Sequence, residues 1–321
     1  MKKKTSDEQW LLNPKGIMSI AAKNDILASG SGVGHMMTWF WPLIPRTSRK
    51  QKGIFEYGRR TYGAPQQTKT IDCQLPRMRN SYIVTEEQEE FINAIDIAGD
   101  KIAVASGDYM ARIFNSTTGE KVTDFWAMKP MHSVAISDKY CAYSSRDGCG
   151  IVAIPSMDVI ESDQDFYGKY YLRNLAIKDE WLIGGSFGGI TVFNIKNGDL
   201  IYDLKTGLDQ RGMGSNQQNL AVNGDFIVGN GFQNQICAWN LKNGEQIGKF
   251  QGPPGYLDAV AIENEIVAAA NLDGAVFVWN LNSGEKIAEL ESSLGYCNRL
   301  LIDKGKVGVA SFILEIWNFD K

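Results

Sequence analysis

Short stretches in which apolar and polar residues alternate recur along the chain, and polar turns separate them. Residues 275–290, AVFVWNLNSGEKIAEL, have the pattern of two strands joined by a turn at positions 282–284. Close copies occupy residues 236–250, 190–204 and 111–125. Alternation over four to eight positions between turn residues is typical of half-buried strands. The pattern therefore predicts an all-β chain built from a repeated hairpin.

A second phrase precedes each copy: a strand, a polar turn, then a strand that ends in small residues. It begins at Met18, Ile92, His132, Leu172, Gln218, Leu257 and Asn298, which gives seven units. The turn glycines Gly244 and Gly284 lie 40 residues apart, which sets the repeat length. Four predicted strands in each unit of about 40 residues indicate a seven-bladed β-propeller of antiparallel blades. The whole of residues 1–321 is predicted to form this one propeller.

The two ends of the chain supply complementary pieces of one unit. The last unit ends at residues 314–321, LEIWNFDK, which is only its third strand. Residues 8–12, EQWLL, precede the first unit and have no other place in the repeat. We therefore expect this N-terminal strand to complete the last blade, which closes the ring and covers a sheet edge.

The repeated phrase resembles the WD-repeat family, and its blades are most similar to those of F-box/WD-repeat proteins. An aromatic residue near the end of the third strand recurs as Phe114, Phe193, Trp239, Trp279 and Trp317. The next residue is Asn where the family often has Asp. The family's Gly-His pair is nearly absent, and its hairpin Asp remains only as Asp108, Asp147 and Asp273. Residues 1–17 precede the first unit and are too few for an F-box, so we expect this chain not to be an F-box subunit. Quinone-cofactor propellers are a weaker alternative.

Composition and charge exclude several classes of protein. The net charge of −4 identifies no partner, and no run of about 20 apolar residues predicts a membrane span. The five cysteines are odd in number and lack C-x-x-C spacing, so we expect buried, reduced thiols. The two histidines do not form a metal-ligand set, and no phosphate-binding loop is present. We expect no catalytic site, metal or cofactor, and a cytoplasmic location, with a nuclear one as the alternative.

One aligned position differs between units while its neighbours stay apolar. It holds Met18, Asn93, His132, Arg173, Gln218, Asp258 and Asn298, called the ring positions below. The WD-repeat resemblance implies that these residues border the top mouth of the central channel, where F-box relatives bind partner peptides. Arg173 is the strongest candidate, because Arg forms bidentate bonds with carboxylates and phosphates. Arg299, one residue past the ring, is a weaker one. Alternatively, these are ordinary polar residues that hydrogen-bond channel water.

An insertion at residues 43–79 interrupts the first unit. It holds nine basic and two acidic residues, a net charge of +7, so the rest of the chain carries −11. Its basic residues are Arg46, Arg49, Lys50, Lys52, Arg59, Arg60, Lys69, Arg77 and Arg79. With Phe55, Tyr57 and Tyr62 among them, they could bind RNA or an acidic protein. The alternative is a solvated, partly disordered loop. The segment SYIVT (81–85) suits an outer strand, which would place the insertion on the face opposite the ring.

The sequence thus predicts a non-catalytic protein-interaction scaffold that presents its faces to partners in a multiprotein complex. The propeller is expected to be monomeric on its own and away from membranes. The alternative is an RNA- or ribonucleoprotein-associated protein that uses the basic insertion. An enzyme comes third.

Overall fold

In the part of the chain that the computed structural model describes, thirty strands make up nearly all the regular structure. The described residues are 8–10, 17–23, 26–31, 36–40, 51–57, 67–73, 78–84, 91–127, 129–145, 148–154, 156, 159–161, 172–186, 188–207, 219–293, 295–311 and 313–319. The strands form seven four-stranded antiparallel sheets and one two-stranded sheet. A single 3-10 turn, Phe232–Asn234, is the one helical element among these residues.

Six of the seven sheets use strands in chain order from the inner strand to the outer one. Blades 1 to 3 are β2 (Ser19–Lys23), β3 (Ile26–Gly30), β4 (Met36–Phe40) and β7 (Met78–Val84); β8 (Ile92–Ala98), β9 (Lys101–Ser106), β10 (Met110–Asn115) and β11 (Lys121–Trp126); and β12 (Met131–Ile136), β13 (Tyr140–Ser145), β14 (Gly148–Ala153) and β15 (Val159–Glu161).

The remaining strands follow the same order except in the last blade. Blades 4 to 7 are β16 (Asn174–Lys178), β17 (Trp181–Ser186), β18 (Gly189–Asn194) and β19 (Leu200–Lys205); β20 (Leu220–Asn223), β21 (Phe226–Asn230), β22 (Gln235–Asn240) and β23 (Gln246–Gln251); β24 (Leu257–Glu263), β25 (Ile266–Asn271), β26 (Ala275–Asn280) and β27 (Lys286–Glu291); and β28 (Arg299–Asp303), β29 (Lys306–Ala310), β30 (Leu314–Asn318) and β1 (Glu8–Trp10).

The seven inner strands are neighbours in a closed circle, in which β28 of blade 7 lies beside β2 of blade 1. The chain is a seven-bladed β-propeller. The last blade confirms the predicted closure, because β1 pairs antiparallel with β30 from Glu8 opposite Ile316 to Trp10 opposite Leu314. The outer strand of blade 7 therefore comes from the beginning of the chain.

The recurrent aromatic residue of the third strand is the main contact between successive blades. Phe114, Phe193, Trp239, Trp279 and Trp317 are all buried, as predicted. Each packs with residues of the preceding blade. Trp317 of blade 7, for example, joins Val276, Val278 and Leu290 of blade 6 in one apolar cluster. Burying a large apolar side chain contributes about 1.5–3 kcal/mol, so this position stabilises the ring once in each of these blades.

The Asn after that aromatic residue explains the rest of the repeated phrase. In blade 6 the Asn280 side-chain oxygen accepts hydrogen bonds from the backbone N–H groups of Asn282 and Ser283 at 3.0 and 2.9 Å. The Gly284 N–H donates to the Asn280 carbonyl at 3.0 Å, with Gly284 at φ +72°. Asn115, Asn194 and Asn240 accept equivalent bonds. The Asn therefore forms an Asx turn, and the glycine supplies the left-handed conformation that follows it.

Two of these turn glycines form a matched pair for a stability test. At Gly284 an added Cβ would meet no atom within 4 Å, whereas at Gly244 it would lie 2.7 Å from Cδ1 of Tyr202 in blade 4. Both have φ +72°. We expect Gly284→Ala to cost about 1 kcal/mol of unfolding free energy from backbone strain alone. Gly244→Ala should cost about 1 kcal/mol more, because Tyr202 must move. Urea denaturation measures both, and equal losses would show that the contact with Tyr202 is irrelevant.

The insertion lies between the third strand β4 and the outer strand β7 of blade 1, as predicted. β7 begins at Met78, so Arg79 belongs to the blade and the predicted boundary at residue 79 was two residues too late. Within the insertion, β5 (Gln51–Tyr57) and β6 (Gln67–Cys73) form an antiparallel hairpin. The insertion therefore contains regular backbone structure, which the alternative of a solvated loop did not anticipate.

Candidate binding face at the channel mouth

The ring positions that the structure describes lie together at one end of the inner strands, which we call the top face. At Met18, Arg173 and Asn298 the backbone N–H donates to the end of the second strand, at the carbonyls of Gly30, Gly185 and Ala310. At Asn93, His132 and Asp258 the register of the first strand shifts in a β-bulge. A bulge re-aims the side chain that it carries. The alignment therefore identified structurally equivalent positions, while Gln218 lies outside the described residues.

Two ring residues join neighbouring blades. The side-chain amide of Asn93 in blade 2 donates to the Met131 carbonyl of blade 3 at 2.8 Å. In the same way, Asn298 of blade 7 donates to the Ile17 carbonyl of blade 1 at 2.9 Å. Asn219, next to Gln218, makes a longer bond of 3.5 Å to Leu257. These amide nitrogens therefore bond the fold itself, and they fix the spacing of the ring.

His132 and Arg173 have different exposures at the channel mouth. His132 is exposed and Arg173 is half-buried. The Arg173 carbonyl accepts a bond from the Ser144 hydroxyl of blade 3 at 3.4 Å, which anchors the start of blade 4. Both ring residues make further interactions within the protein. The structure thus places Arg173 at the mouth on a backbone that is held at two points.

Asp258 and Arg299 form an electrostatic pair between blades 6 and 7. Burial raises the pKa of the Asp258 carboxyl, and the positive charge of Arg299 acts in the opposite direction. The Arg299 guanidinium donates to the Asn298 carbonyl at 2.8 Å. The carboxylate and the guanidinium are both half-buried at the mouth, so this sector of the ring offers charges of both signs.

The cysteines give no sign of a reactive thiol among the residues described. Cys141, Cys149, Cys237 and Cys297 are free and buried, which confirms the prediction for these four. Burial raises the pKa of all four thiols. A thiol with a raised pKa stays protonated and is a poor nucleophile. The side chain of Cys73 lies outside the described residues.

The inner hairpins carry a further set of bonds between blades. The Asp96 carboxylate accepts the Ile136 N–H of the next blade at 2.8 Å, and burial raises the pKa of this carboxyl. The Ser133 hydroxyl accepts the Leu175 N–H at 3.0 Å. Asn223 and Glu263 accept from the Asn264 and Lys304 N–H groups at 3.0 and 2.9 Å. These polar side chains are therefore hydrogen-bonded within the fold, and they link the backbones of successive blades.

The predicted basic residues of the insertion fall into two groups. The strands place Lys52 on β5, Lys69 on β6 and Arg79 on β7. Arg46, Arg49, Lys50, Arg59, Arg60 and Arg77 lie outside the described residues. In the hairpin register Lys52 is opposite Asp72 and Phe55 is opposite Lys69. β4 enters the insertion at the end of blade 1 that is opposite the ring positions, as predicted.

A group of exposed aromatic side chains also lies on the top face, outside the ring positions. Among the described residues these are Phe91, Tyr109, Trp126, Phe232 and Tyr256. Each lies just before an inner strand, between a second and a third strand, or at the final residue of an outer strand. Successive strands of a blade run in opposite directions, and the inner strand starts at the top face. All three places therefore lie at the top. Among the aromatic residues whose burial the structure describes, the exposed ones therefore all lie on the top face.

One sequence signal for this group exists at Tyr109. The aligned turn position holds Gly148, Gly189 and Gly274 in three other blades, all with positive φ. Tyr109 has φ +72°, which is uncommon for a residue with a side chain. A tyrosine that replaces a turn glycine is visible in the sequence once the repeats are aligned.

Two features are absent from the part of the chain that the structure describes. There, no three or more His, Cys, Asp or Glu side chains are grouped so that they could hold a metal ion. None of the helical segments described is long and apolar enough to cross a membrane.

Comparisons with known proteins identify the architecture. No family model and no curated protein matches the chain. Among solved structures, 1611 chains match, so the fold is widespread. One is the crystal structure of the computationally designed Ika8 protein, which is 12% identical with a TM-score of 0.64 over 99% of this chain and 100% of that one. At this identity the likeness concerns the fold alone, and the WD-repeat resemblance stays a prediction.

Proposed function

We propose that the protein is a non-catalytic interaction scaffold that binds a partner protein through its top face. The observation that carries the proposal is the concentration of exposed aromatic side chains on the face that also holds Arg173, His132 and Asp258. Tyr, Trp and Arg are enriched in protein interfaces and in the residues that dominate binding energy. Solvent-exposed aromatic residues on one face of a monomer favour a binding role for that face.

The rigidity of the face supports the same proposal. The backbone at the ring is held by the bonds of Asn93, Asn298 and Ser144 to the next blade. A surface that is already ordered loses little conformational entropy when it binds. The buried Asp96 carboxylate and the buried thiols are committed to the fold, so they supply no group for acid–base or nucleophilic chemistry.

A prediction for Arg173 tests this function. Arg173→Ala is expected to weaken binding of a top-face partner about tenfold or more, since a hydrogen bond to a charged group is worth about 1.5–3 kcal/mol. The melting temperature should stay within about 2 °C of wild type, because half-buried and exposed side chains outside the core contribute little stability. Quantitative affinity purification from the native cell, followed by binding measurements on the recovered partner, provides the readout.

Lys178→Ala is the matched control for this experiment. Lys178 ends the same strand, β16, at the opposite face, and its ammonium group pairs with the exposed Asp179 at 3.3 Å. Lys178→Ala removes one positive charge, as Arg173→Ala does, so the two variants have the same net charge. Equal losses in the two variants would show that charge alone matters, and a partner unaffected by Arg173→Ala would remove Arg173 from the binding face.

The second candidate is RNA binding through the basic insertion, favoured by its net charge of +7. If RNA is bound there, affinity for a single-stranded oligonucleotide should fall steeply with salt, with a slope of log K on log salt of about −4 for six phosphate contacts. Removing residues 43–77 should abolish this slope and keep β7 (Met78–Val84) intact. Arg173→Ala should leave the slope unchanged. No binding by wild type at low salt would eliminate this candidate.

A further inference from the structure

Blade 2 exposes three aromatic side chains along its top edge, from the channel outward. Phe91 immediately precedes the inner strand β8, Tyr109 lies in the turn between β9 and β10, and Trp126 ends the outer strand β11. They are 48%, 40% and 61% exposed. Neighbouring strands are about 4.8 Å apart, so four strands place the three residues across about 14 Å. We call these three residues the aromatic strip.

The backbone beneath the aromatic strip is tied together. The Ser106 hydroxyl donates to the Phe91 carbonyl at 3.3 Å and accepts the Asp108 N–H at 3.5 Å. The Gly107 N–H also donates to the Phe91 carbonyl, at 2.9 Å, and the Ala127 N–H donates to the Tyr109 carbonyl at 2.8 Å. The positions of the three residues relative to one another are therefore fixed before any partner binds.

Tyr109 is held in a strained conformation. Its φ of +72° is close to the +81° of Gly274, which takes the same place in the turn of blade 6. The turn is maintained by Asp108, whose carboxylate accepts the Met110 N–H at 3.1 Å and pairs with the Arg112 guanidinium at 2.7 Å. A non-glycine residue in this region persists only where the surrounding structure enforces it, and such residues cluster at functional sites. The exposed ring gives nothing to the core in return for this strain.

The charge of this part of the chain indicates the kind of partner. Four glutamates, Glu86, Glu87, Glu89 and Glu90, immediately precede Phe91 in the sequence. Residues 85–130 contain nine acidic and four basic residues, a net charge of −5. Lysine and arginine side chains are attracted to the faces of aromatic rings and to carboxylates alike. An acidic lead-in to three exposed rings therefore complements a cationic ligand and repels a phosphate backbone.

We propose that the aromatic strip of blade 2 binds an extended, cationic segment of a partner protein. In an extended chain, side chains on one face recur about every 6.7 Å, so a strip of about 14 Å matches three such side chains within five residues. Lysine or arginine at alternate positions would place their charges over the rings of Phe91, Tyr109 and Trp126. The inference rests on the proposed function, and it names the chemistry of one partner segment on the same face.

The test uses two fluorescein-labelled heptapeptides, one of alternating arginine and threonine and one of alternating glutamate and threonine. Fluorescence anisotropy with the full-length protein should show at least tenfold tighter binding of the arginine peptide. Tyr109→Gly and Trp126→Ala should each weaken that binding about fivefold, as expected for loss of one cation–π contact. Neither variant changes the net charge, so non-specific attraction to an acidic protein stays constant. Ile247→Ala, which removes an exposed apolar side chain near the start of the outer strand β23 in blade 5, should bind as wild type.

Tyr109→Gly has a second readout that separates binding from folding. Glycine adopts the observed φ without strain, so the variant should melt about 2 °C higher than wild type while it binds the arginine peptide less well. A simultaneous gain of stability and loss of binding supports the proposal. Unchanged binding by Tyr109→Gly and Trp126→Ala would overturn it, and so would a preference for the glutamate peptide.

Two further outcomes distinguish this inference from the proposed function. Suppose that Arg173→Ala weakens binding of a natural partner, while the aromatic-strip variants bind the arginine peptide as wild type does. The scaffold function then stands and this inference is wrong. If the protein instead binds an oligouridine probe, and Tyr109→Gly or Trp126→Ala weakens that binding, the aromatic strip binds a nucleic acid. This inference is then also wrong.

Discussion

Deleting residues 1–13 is expected to lower the melting temperature of the protein by about 5–10 °C. The deletion removes β1, whose three residues pair with Leu314, Glu315 and Ile316 on β30. Each backbone hydrogen bond contributes about 1 kcal/mol net, and blade 7 would be left with three strands. Differential scanning calorimetry measures the shift.

The closure experiment has an internal control in a shorter truncation. Removing residues 1–7 leaves β1 (Glu8–Trp10) in place, and should leave the melting temperature unchanged. The longer deletion should also promote association, because β30 would become an unpaired sheet edge. If both truncations melt like wild type, the pairing of β1 with β30 contributes nothing to the stability of the ring.

Trp317→Ala is expected to reduce the free energy of unfolding by about 3–5 kcal/mol. Trp317 is 0% exposed and fills the space between blades 6 and 7. Its removal loses the transfer free energy of the indole and leaves a cavity that the flanking strands cannot close. Chemical denaturation followed by circular dichroism gives the measurement, with the midpoint shifting and the slope unchanged.

Trp126→Ala removes the same side chain from an exposed site. It should change the free energy of unfolding by no more than about 0.5 kcal/mol, since surface substitutions away from the core rarely do more. The contrast isolates inter-blade packing from the general effect of losing a tryptophan. Comparable losses in the two variants would contradict the assignment of Trp317 as a wedge between blades.

The propeller fold could be predicted from the sequence because each blade must make the same contacts with its neighbour. An aromatic residue must fill the gap to the previous blade, and a turn must follow it, so Trp279, Asn280 and Gly284 recur in fixed order. The missing outer strand of the last unit likewise predicted the role of β1. Residues that each blade requires recur at regular intervals in the sequence, and this recurrence was sufficient to predict the number of blades and the closure of the ring.

The binding face was less accessible, because its residues do not repeat. Alignment located the ring positions, but it could not show that the Asn93 and Asn298 amides bond to the next blade. Exposure of Phe91 and Trp126 depends on where the strand ends meet, which a single sequence does not encode in a recognisable pattern. The β5–β6 hairpin was missed because its strands lie in a segment whose charge indicated a solvated loop.

The bonds between blades have one property that bears on how such a chain tolerates mutation. Those of Asn93, Asp96, Ser133, Asn223 and Glu263 all run from a side chain of one blade to the backbone of the next. A backbone N–H or carbonyl is present whatever residue the neighbour carries. A substitution in the following blade therefore leaves these five bonds in place, whereas the buried bond from the Ser292 hydroxyl of blade 6 to the Glu315 carboxylate of blade 7 depends on both side chains. These five bonds thus fix the spacing of successive blades without fixing the side chains that each blade presents at the top face.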